Sequence, residues 1–299
     1  AHGWAFAEGV PEPSRTLWRV IERATERLAT RIICVSNAGR DLAIRSGFDT
    51  DRLVTIHNGV PGVGEPPRSR AHPGDPVRIA MVARFAPPKD HRSLIQAIQA
   101  IPGCELDLVG DGPTQPEMED YAATLGVRDR VHFHGYQADV SGILAQADMF
   151  ALISRHEGFP LTTLEAMRAG LPAIVSDVGG AGEAVTDGVT GYLVPRGDVA
   201  AIRNRIRTLV DQPSLRQQMG ESARLAFAQS FTFDRMYDAT LTVYREAAFA
   251  LADEGCDMED EDESDRSRPS VQAGGFRPGV LKALPSIHAF QRVWRSPWD

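Results

Sequence analysis

The sequence predicts an α/β protein whose main domain is a doubly wound parallel sheet. Short apolar stretches of strand length alternate with amphipathic stretches of helical periodicity from residue 77 to residue 194. Strands that are apolar throughout and are separated by helices specify a parallel sheet covered on both faces. The 299 residues, of which 42% are apolar and 24% charged, suffice for about two globular domains.

The first sixty residues predict a partial amino-terminal α/β domain, residues 1–60. Apolar spacing of 3.6 residues and short β-rich runs distinguish its helices from its strands. In chain order they predict a strand-end loop over 1–7, a helix over 15–29, a strand over 31–35, a helix over 37–45 and a strand over 53–56.

A second domain, residues 77–230, follows a predicted linker. The linker, residues 61–76, strings together Pro, Gly and Arg without apolar periodicity. The domain is predicted to contain strands over 77–82, 105–109, 131–134, 149–153, 173–176 and 191–194, with helices over 91–100, 115–125, 140–146, 161–169, 180–185, 199–210 and 214–229.

The carboxyl-terminal part is predicted to be one helix, residues 231–250, followed by an acidic, disordered tail, residues 251–299. Nine acidic residues and no Lys or Arg lie between Asp253 and Asp265. Since the net charge of the whole chain is −8, the rest is nearly neutral. The acidity is therefore a property of the tail and assigns no chemistry to the domains.

Composition excludes several classes of protein. No apolar run reaches the ~18 residues of a membrane span, and no signal-peptide pattern opens the chain. Three separated cysteines, Cys34, Cys104 and Cys256, favour neither a disulfide framework nor a zinc knuckle. Without a dense Lys/Arg block a nucleic-acid partner is not expected. We expect a cytoplasmic protein with small-molecule partners.

Ligands of open parallel sheets bind beyond the carboxyl ends of the strands, so the loops there hold the candidate site residues. The first such loop carries Arg84 and Lys89. Two cations on one loop suit a pyrophosphate, because each charge-assisted contact contributes about 1.5–3 kcal/mol. A solvated surface pair is the alternative, and this loop alone does not decide between them.

A second candidate loop, after the predicted strand 149–153, carries Glu157 and leads through Pro160 into a helix that contains Glu165. The amides of that helix start favour an anion, and carboxylates beside them accept hydrogen bonds from hydroxyls. The alternative is that both glutamates are ordinary helix acids. The glycine turns around Gly110, Gly112 and Gly179 are weaker signals, because such turns commonly bind nothing.

These loops belong to an ordered set of motifs that resembles the carboxyl-terminal domain of the family 4 retaining glycosyltransferases. The likeness extends from about His2 to Tyr244, and the spacing of Glu157 and Glu165 is that family's pattern of two glutamates. The resemblance implies the GT-B fold, with two Rossmann-like domains. The matching motifs are Arg84 with Lys89, Gly110-Asp111-Gly112-Pro113, Glu157-Gly158-Phe159-Pro160, Glu165-Ala166-Met167, Gly170-Leu171-Pro172, Asp177-Val178-Gly179-Gly180 and Gly191-Tyr192-Leu193-Val194-Pro195.

The resemblance also implies roles for individual residues. Arg84 and Lys89 would neutralise the donor diphosphate, and Glu157 would hold hydroxyls of the donor sugar. Glu165 would bind the ribose, and His2 would reach the donor sugar from the amino-terminal side. The backbone from Gly158 through Phe159 and Leu161 to Thr162, with Gly110 and Gly112, would contact the sugar and the phosphates.

The implied reaction is transfer of a hexosyl group from a nucleotide-diphosphate sugar to a hydroxyl acceptor, such as a saccharide or lipid-linked saccharide, with retention of configuration. Cations and helix amides would stabilise the leaving diphosphate, so neither a cofactor nor a divalent metal is expected. Polysaccharide or glycolipid biosynthesis is the implied setting. A donor-binding fragment without transfer activity and a nucleotide-sugar epimerase are the alternatives.

The family's acceptor-side domain is larger than residues 1–60, so much of it is expected to be missing from this chain. The helix predicted over 15–29 has arginines at every fourth position, beginning at Arg15, and also carries Trp18. This pattern suits a helix that lies peripherally on the inner face of a membrane. Glu22 and Glu26 interrupt it and favour a solvated face instead.

Two further patterns resemble metal sites. His132 and His134 lie on one side of a predicted strand, but hydrogen bonding or packing is favoured because no third ligand is evident. Asp49 and Asp51 follow a turn rather than ending a strand, which favours a turn or cap.

Overall fold

A computed structural model describes residues 1–7, 10–62 and 74–256, and the predicted alternation of strands and helices is present in it. Residues 1–247 form one compact unit. Most of the predicted linker, residues 63–73, lies outside the described residues. The acidic tail beyond residue 256 does so as well.

A six-stranded parallel sheet forms the larger part of the molecule, in the strand order β5-β4-β3-β6-β7-β8. All five pairings are parallel, as predicted. The strands are β3 (Val77–Val82), β4 (Cys104–Val109), β5 (Val131–Phe133), β6 (Met149–Leu152), β7 (Ala173–Ser176) and β8 (Gly191–Val194). The helices are α3 (His91–Ile98), α4 (Gln115–Thr124), α5 (Ser141–Leu144), α6 (Leu161–Arg168), α7 (Val199–Asp211), α8 (Pro213–Ser230) and α9 (Phe233–Cys256).

The core of this sheet is apolar on both of its faces. Ile79 and Met81 of β3, Leu108 of β4 and Phe150 of β6 are fully buried. Every residue of β6 and β7 is buried, which explains the near-continuous apolar sequences of these two strands. The sheet is therefore a rigid support for the loops at its carboxyl edge.

A second, two-stranded parallel sheet lies in the amino-terminal part, where β1 (Ile32–Cys34) pairs with β2 (Leu53–Thr55). Helix α2 (Asn37–Arg45) connects the two strands and begins at Ser36, whose hydroxyl accepts a hydrogen bond from the amide of Gly39. The rings of Phe6, Phe48 and Trp4 pack together beside this sheet.

Helix α1 (Ser14–Glu26) exposes its apolar face. Leu17 is 59% exposed and Val20 is 60% exposed, whereas Glu22 and Glu26 face the body of the protein. Their carboxylates accept hydrogen bonds from the backbone amides of Ala5 and Asp49. The helix is therefore attached through its polar face, which apolar periodicity alone does not predict.

Several predicted element ends differ from the observed ones. The helix predicted over 140–146 is a single turn, Ser141–Leu144. Just before it, Asp139 accepts hydrogen bonds from the amide and hydroxyl of Ser141. The helix predicted over 180–185 is a 3-10 turn, Ala181–Ala184. Helix α1 ends three residues before the predicted limit, and α9 continues beyond residue 250 to Cys256.

Candidate active site

The candidate site lies where the strand order of the large sheet reverses, between β3 and β6. The chain leaves β3 toward β4 and β5 on one side, and β6 leads to β7 and β8 on the other. The loops after β3 and β6 are joined by backbone hydrogen bonds from Asp90 N to Ile153 O and from Arg155 N to Pro88 O, both 2.9 Å long. Such a reversal opens a crevice at the carboxyl edge of a sheet, where ligands bind.

Lys89 and Glu157 meet in this crevice. Nζ of Lys89 lies 2.6 Å from Oε1 of Glu157, and their side chains are 21% and 9% exposed. Attraction between opposite charges is stronger here than at an open surface, because little water screens the pair. The two predicted site residues therefore form a partly desolvated ion pair.

Arg84 lies on the same loop as Lys89 but projects into solvent. Its guanidinium makes no hydrogen bond or ion pair with the part of the chain that the structure describes. All five of its N–H donors are therefore available to an anion that enters from outside. A diphosphate-binding role for Arg84 remains a prediction.

Gly110 and Gly112 permit close packing between the loops after β3 and β4. A Cβ atom on Gly110 would lie 2.2 Å from the carbonyl oxygen of Ala83, and one on Gly112 would lie 2.4 Å from that of Phe85. Phe85 also donates its amide to the carbonyl of Asp111 at 2.7 Å. The observed reason for these glycines is loop packing, and their predicted contact with phosphates remains a prediction.

The loop after β6 passes through Gly158 and Phe159 into α6, with Pro160 at the N-cap. Neither a capping side chain nor an acid in the first turn satisfies the first amides of this helix, which include those of Leu161 and Thr162. Helix starts of this kind bind anions through free N–H groups and the helix dipole. Leu161, Thr162 and Glu165 are half-buried, and Glu165 lies on the second turn.

His2 comes to this loop from the amino-terminal end of the chain. Its carbonyl oxygen lies 2.2 Å from the position that a Cβ atom on Gly158 would take, so only glycine fits there. The side chain of His2 is exposed. The structure therefore brings the segment of His2 against the loop that carries Glu157, while the catalytic role of His2 remains a prediction.

His57 and Glu183 also lie at this loop, and sequence reasoning assigned no role to either. The ring of His57 packs on Phe159 at 4.6 Å between centroids, and Asn58 donates its side-chain amide to the carbonyl of Phe159 at 2.8 Å. Glu183 accepts a hydrogen bond from His57 at 2.7 Å. Helix α2 has no acid in its own first turn, and the sequence does not indicate that Glu183 takes this place.

The residues of the two metal-like patterns have structural partners. His132 pairs with Glu105 at 3.1 Å and His134 with Asp107 at 2.7 Å, which confirms the predicted hydrogen bonding. Asp49 caps a 3-10 turn by accepting a hydrogen bond from the amide of Asp51, as predicted.

Within residues 1–7, 10–62 and 74–256, no helix is long and apolar enough to cross a membrane.

Comparisons with known proteins relate the chain to glycosyltransferases. Residues 65–226 match the family model for glycosyl transferases group 1. The lipopolysaccharide core biosynthesis glycosyltransferase LpsD of Rhizobium meliloti is 32% identical over 60% of this chain and 53% of its own length. D-inositol 3-phosphate glycosyltransferase of Saccharomonospora viridis is 31% identical over 83% of this chain and 68% of its own length.

A solved structure shows the same fold. Anabaena HepE in complex with UDP and glucose superposes with a TM-score of 0.73, at 23% identity, over 82% of this chain and 70% of that one. The chain spans about half the length of several curated relatives that it matches. The family model covers more than half of the chain, and the parallel sheet has the GT-B architecture expected of the domain. The chain belongs to the glycosyl transferases group 1 family.

Proposed function

We propose that this protein transfers a hexosyl group from a nucleotide-diphosphate sugar to a hydroxyl acceptor with retention of anomeric configuration. The observation that carries the proposal is the ion pair of Lys89 and Glu157 at the reversal of the strand order. A cation for the diphosphate and a carboxylate for sugar hydroxyls are thereby side by side in a crevice.

Each predicted site residue has a place in this proposal. Lys89 and the exposed Arg84 neutralise the diphosphate, and the free amides at the start of α6 bind phosphate oxygens. Glu157 accepts hydrogen bonds from the donor sugar, and Glu165 accepts them from the ribose. His2 approaches the sugar from the amino-terminal side, since its backbone already lies against Gly158.

The chemical step breaks the bond between the anomeric carbon and the diphosphate oxygen and forms a bond from that carbon to the acceptor oxygen. In a reaction on one face of the sugar, the proton of the acceptor hydroxyl passes to the departing phosphate oxygen. Lys89, Arg84 and the α6 amides stabilise the charge that develops on the phosphate. We propose that these groups take the place of a divalent metal.

The relatives support the proposed substrate class. The names of LpsD and of the S. viridis enzyme describe sugar transfer in lipopolysaccharide core biosynthesis and to D-inositol 3-phosphate. HepE was solved with UDP and glucose. We extend these to a nucleotide-sugar donor for this chain and to an acceptor in cytoplasmic polysaccharide or glycolipid biosynthesis.

Donor binding is tested by measuring the thermal unfolding of the chain with a panel of UDP- and GDP-sugars. A donor at 100 times its dissociation constant should stabilise the fold by ~2.7 kcal/mol. Lys89→Met and Glu157→Gln should reduce this stabilisation, whereas Arg92→Met, which alters an exposed pair with Glu117, should not. If no nucleotide sugar stabilises the wild type, the proposal is wrong.

Transfer is tested by product analysis with saccharide and lipid-linked acceptors. Nuclear magnetic resonance of the anomeric proton should report retention, and a chelator should leave the rate unchanged. Donor binding without product would support the alternative of a non-catalytic binding fragment. One observation favours that alternative. The amino-terminal sheet has only two strands in the described residues, and holding both reactants in position is a large part of catalysis.

Release of the free 2-epimer would identify an epimerase instead.

We also propose a peripheral contact between α1 and an anionic membrane. The exposed apolar residues of α1 include Leu17 and Ile21, and Arg19 is exposed on the same helix, while Arg27 and Leu28 are exposed just after its end. This combination is typical of helices that lie in the membrane interface. Vesicles with anionic lipid should bind the wild type but not Leu17→Glu, and neutral vesicles should bind less. Equal binding of both variants would contradict the contact.

A further inference from the structure

The carboxylate of Glu183 joins the large sheet to the amino-terminal one. Glu183 lies on the 3-10 turn after β7, and its Oε1 accepts a hydrogen bond from the amide of Ala38 at 2.8 Å. Its Oε2 accepts hydrogen bonds from the amide of Asn37 at 2.8 Å and from Nε2 of His57 at 2.7 Å. One side chain thus binds three donors that belong to α2 and to the segment after β2.

The position of Glu183 completes the amino-terminal cap of α2. The hydroxyl of Ser36 accepts a hydrogen bond from the amide of Gly39, and the first turn of α2 contains no acid of its own. The first amides of a helix need acceptors, and a negative charge there is favoured by the helix dipole. Glu183 supplies both the acceptor and the negative charge, although it lies 146 positions after Asn37 in the chain.

The turn that contains Glu183 and the ring of His57 hold the two ends of the segment 157–159. On one side Gly180, three residues before Glu183, donates its amide to the carbonyl of Glu157 at 3.1 Å. On the other side His57, which is bound to Glu183, packs its ring on Phe159. The loop that carries Glu157 is therefore held between two elements that Glu183 connects.

We propose that Glu183 is a positioning residue for the donor site. It binds α2 and His57 to the turn that contains Gly180, and it thereby fixes the backbone of Glu157 and Phe159 without touching the donor. Its two oxygens already accept three of the roughly four hydrogen bonds that a carboxylate can accept, and all three donors are groups of the protein, so its contacts support a positioning role. The inference rests on the proposed function, because the positioned groups are those assigned to the donor.

The test compares Glu183→Gln with a matched control, Glu105→Gln, which alters another glutamate–histidine pair, that with His132. Hydrogen exchange is measured on peptides covering residues 36–40 and 157–163. Because the substitution removes a charge-assisted acceptor, exchange in both peptides should rise about tenfold in Glu183→Gln and stay unchanged in Glu105→Gln. Unchanged exchange in either peptide of Glu183→Gln would overturn the proposal.

Calorimetry with the UDP- or GDP-sugar that stabilises the wild type gives the second readout. The dissociation constant should rise about tenfold in Glu183→Gln at a temperature where the variant is folded, and Glu183→Asp should recover part of the affinity. Wild-type affinity in a folded Glu183→Gln would contradict the positioning role. If Glu183→Gln does not fold, His57→Gln replaces it in the calorimetry and in the exchange measurement on residues 157–163. Residues 36–40 then serve as the internal control, because Glu183 keeps its hydrogen bonds to Asn37 and Ala38 in that variant.

A failure of the proposed function is distinguishable from a failure of this inference. If the wild type binds no nucleotide sugar, the donor assignment is wrong, and so is the purpose given to Glu183. The exchange measurement then still decides whether Glu183 orders residues 157–163. If the wild type binds and only the effect of Glu183→Gln is missing, the donor assignment stands and the positioning role falls.

Discussion

The ammonium nitrogen of Lys89 lies 2.6 Å from a carboxylate oxygen of Glu157, across the crevice between β3 and β6. The carbonyls of Pro88 and Ile153 accept backbone hydrogen bonds from Arg155 and Asp90, which hold the two loops together, so this contact does not depend on the side chains alone. A diphosphate that binds Lys89 would compete with Glu157 for the ammonium. We therefore expect Glu157 to turn toward sugar hydroxyls when the donor enters.

A double-mutant cycle should show that this pair is coupled in the protein without ligand. Lys89→Met leaves a nearly buried carboxylate without its counter-charge, so it should lower the free energy of unfolding by about 2 kcal/mol. In the double variant with Glu157→Gln, the loss should be smaller than the sum of the single losses by at least about 1 kcal/mol. Urea denaturation measures all four proteins, and additive losses would contradict the coupling.

Gly180 should tolerate no side chain. A Cβ atom there would lie 1.9 Å from the carbonyl oxygen of Gly158 and 2.4 Å from Cβ of Ser36. Gly180→Ala should therefore destabilise the protein by about 2 kcal/mol and weaken donor binding, because the loop of Glu157 must move.

The control for this substitution is Gly142→Ala on α5. A Cβ atom on Gly142 would meet no atom within 4 Å, and alanine favours a helix more than glycine does, so this variant should unfold at or above the temperature of the wild type. If both alanine variants unfold at the same temperature, the close approach of the three segments at Gly180 is wrong.

Much of the fold could be predicted because hydrophobic periodicity and composition indicate local structure. The mainly apolar strands β3 and β7 predict burial on both faces, and the parallel sheet then places the loops of Lys89 and Glu157 at one edge. The partner of Glu183 could not be predicted, because its hydrogen bonds join residues 126 to 146 positions apart. Periodicity also identifies an apolar face on α1 without specifying that it points outward.

Two ion pairs of the larger domain should contribute very differently to the free energy of unfolding, because one contains a buried carboxylate and the other is exposed. Asp107 is 1% exposed and binds Arg78 through two hydrogen bonds of 2.7 and 3.0 Å. Arg78→Met should cost about 3 kcal/mol of unfolding free energy, because it leaves a buried carboxylate that keeps its hydrogen bond to His134 but loses the guanidinium. Arg92→Met, in the exposed pair with Glu117, should cost less than about 1 kcal/mol.

The same network predicts a loss of stability in acid. Burial raises the pKa of Asp107, but hydrogen bonds from Arg78 and His134 together outweigh burial and hold the pKa below its usual value. A carboxyl with a lowered folded pKa stabilises the protein above its unfolded pKa, and this contribution is lost as pH falls through the folded pKa. Arg78→Met should therefore show a weaker acid dependence in urea denaturation than the wild type, and equal dependence would contradict the assignment.

His91 should make the protein less stable as the pH falls below neutrality. Its ring is buried and stacks on Phe85 at 4.1 Å, and burial lowers its pKa from 6.5 to about 4. The charge of Lys89 acts in the same direction, while a hydrogen bond with the backbone of Ala83 and the charge of Asp90 oppose it. The imidazole is therefore neutral in the folded protein at pH values where the unfolded chain binds a proton.

The sign of the pH dependence follows from this difference. Since the unfolded state binds the proton more tightly, the contribution of His91 to stability is full above about pH 6.5 and declines as the pH falls toward about 4. From about pH 7 to about pH 5 the wild type should lose about 2 kcal/mol relative to His91→Gln, which has no imidazole to protonate. Urea denaturation of both proteins at the two pH values measures this difference. Parallel stability curves would show that His91 is protonated in the folded protein, contrary to its burial.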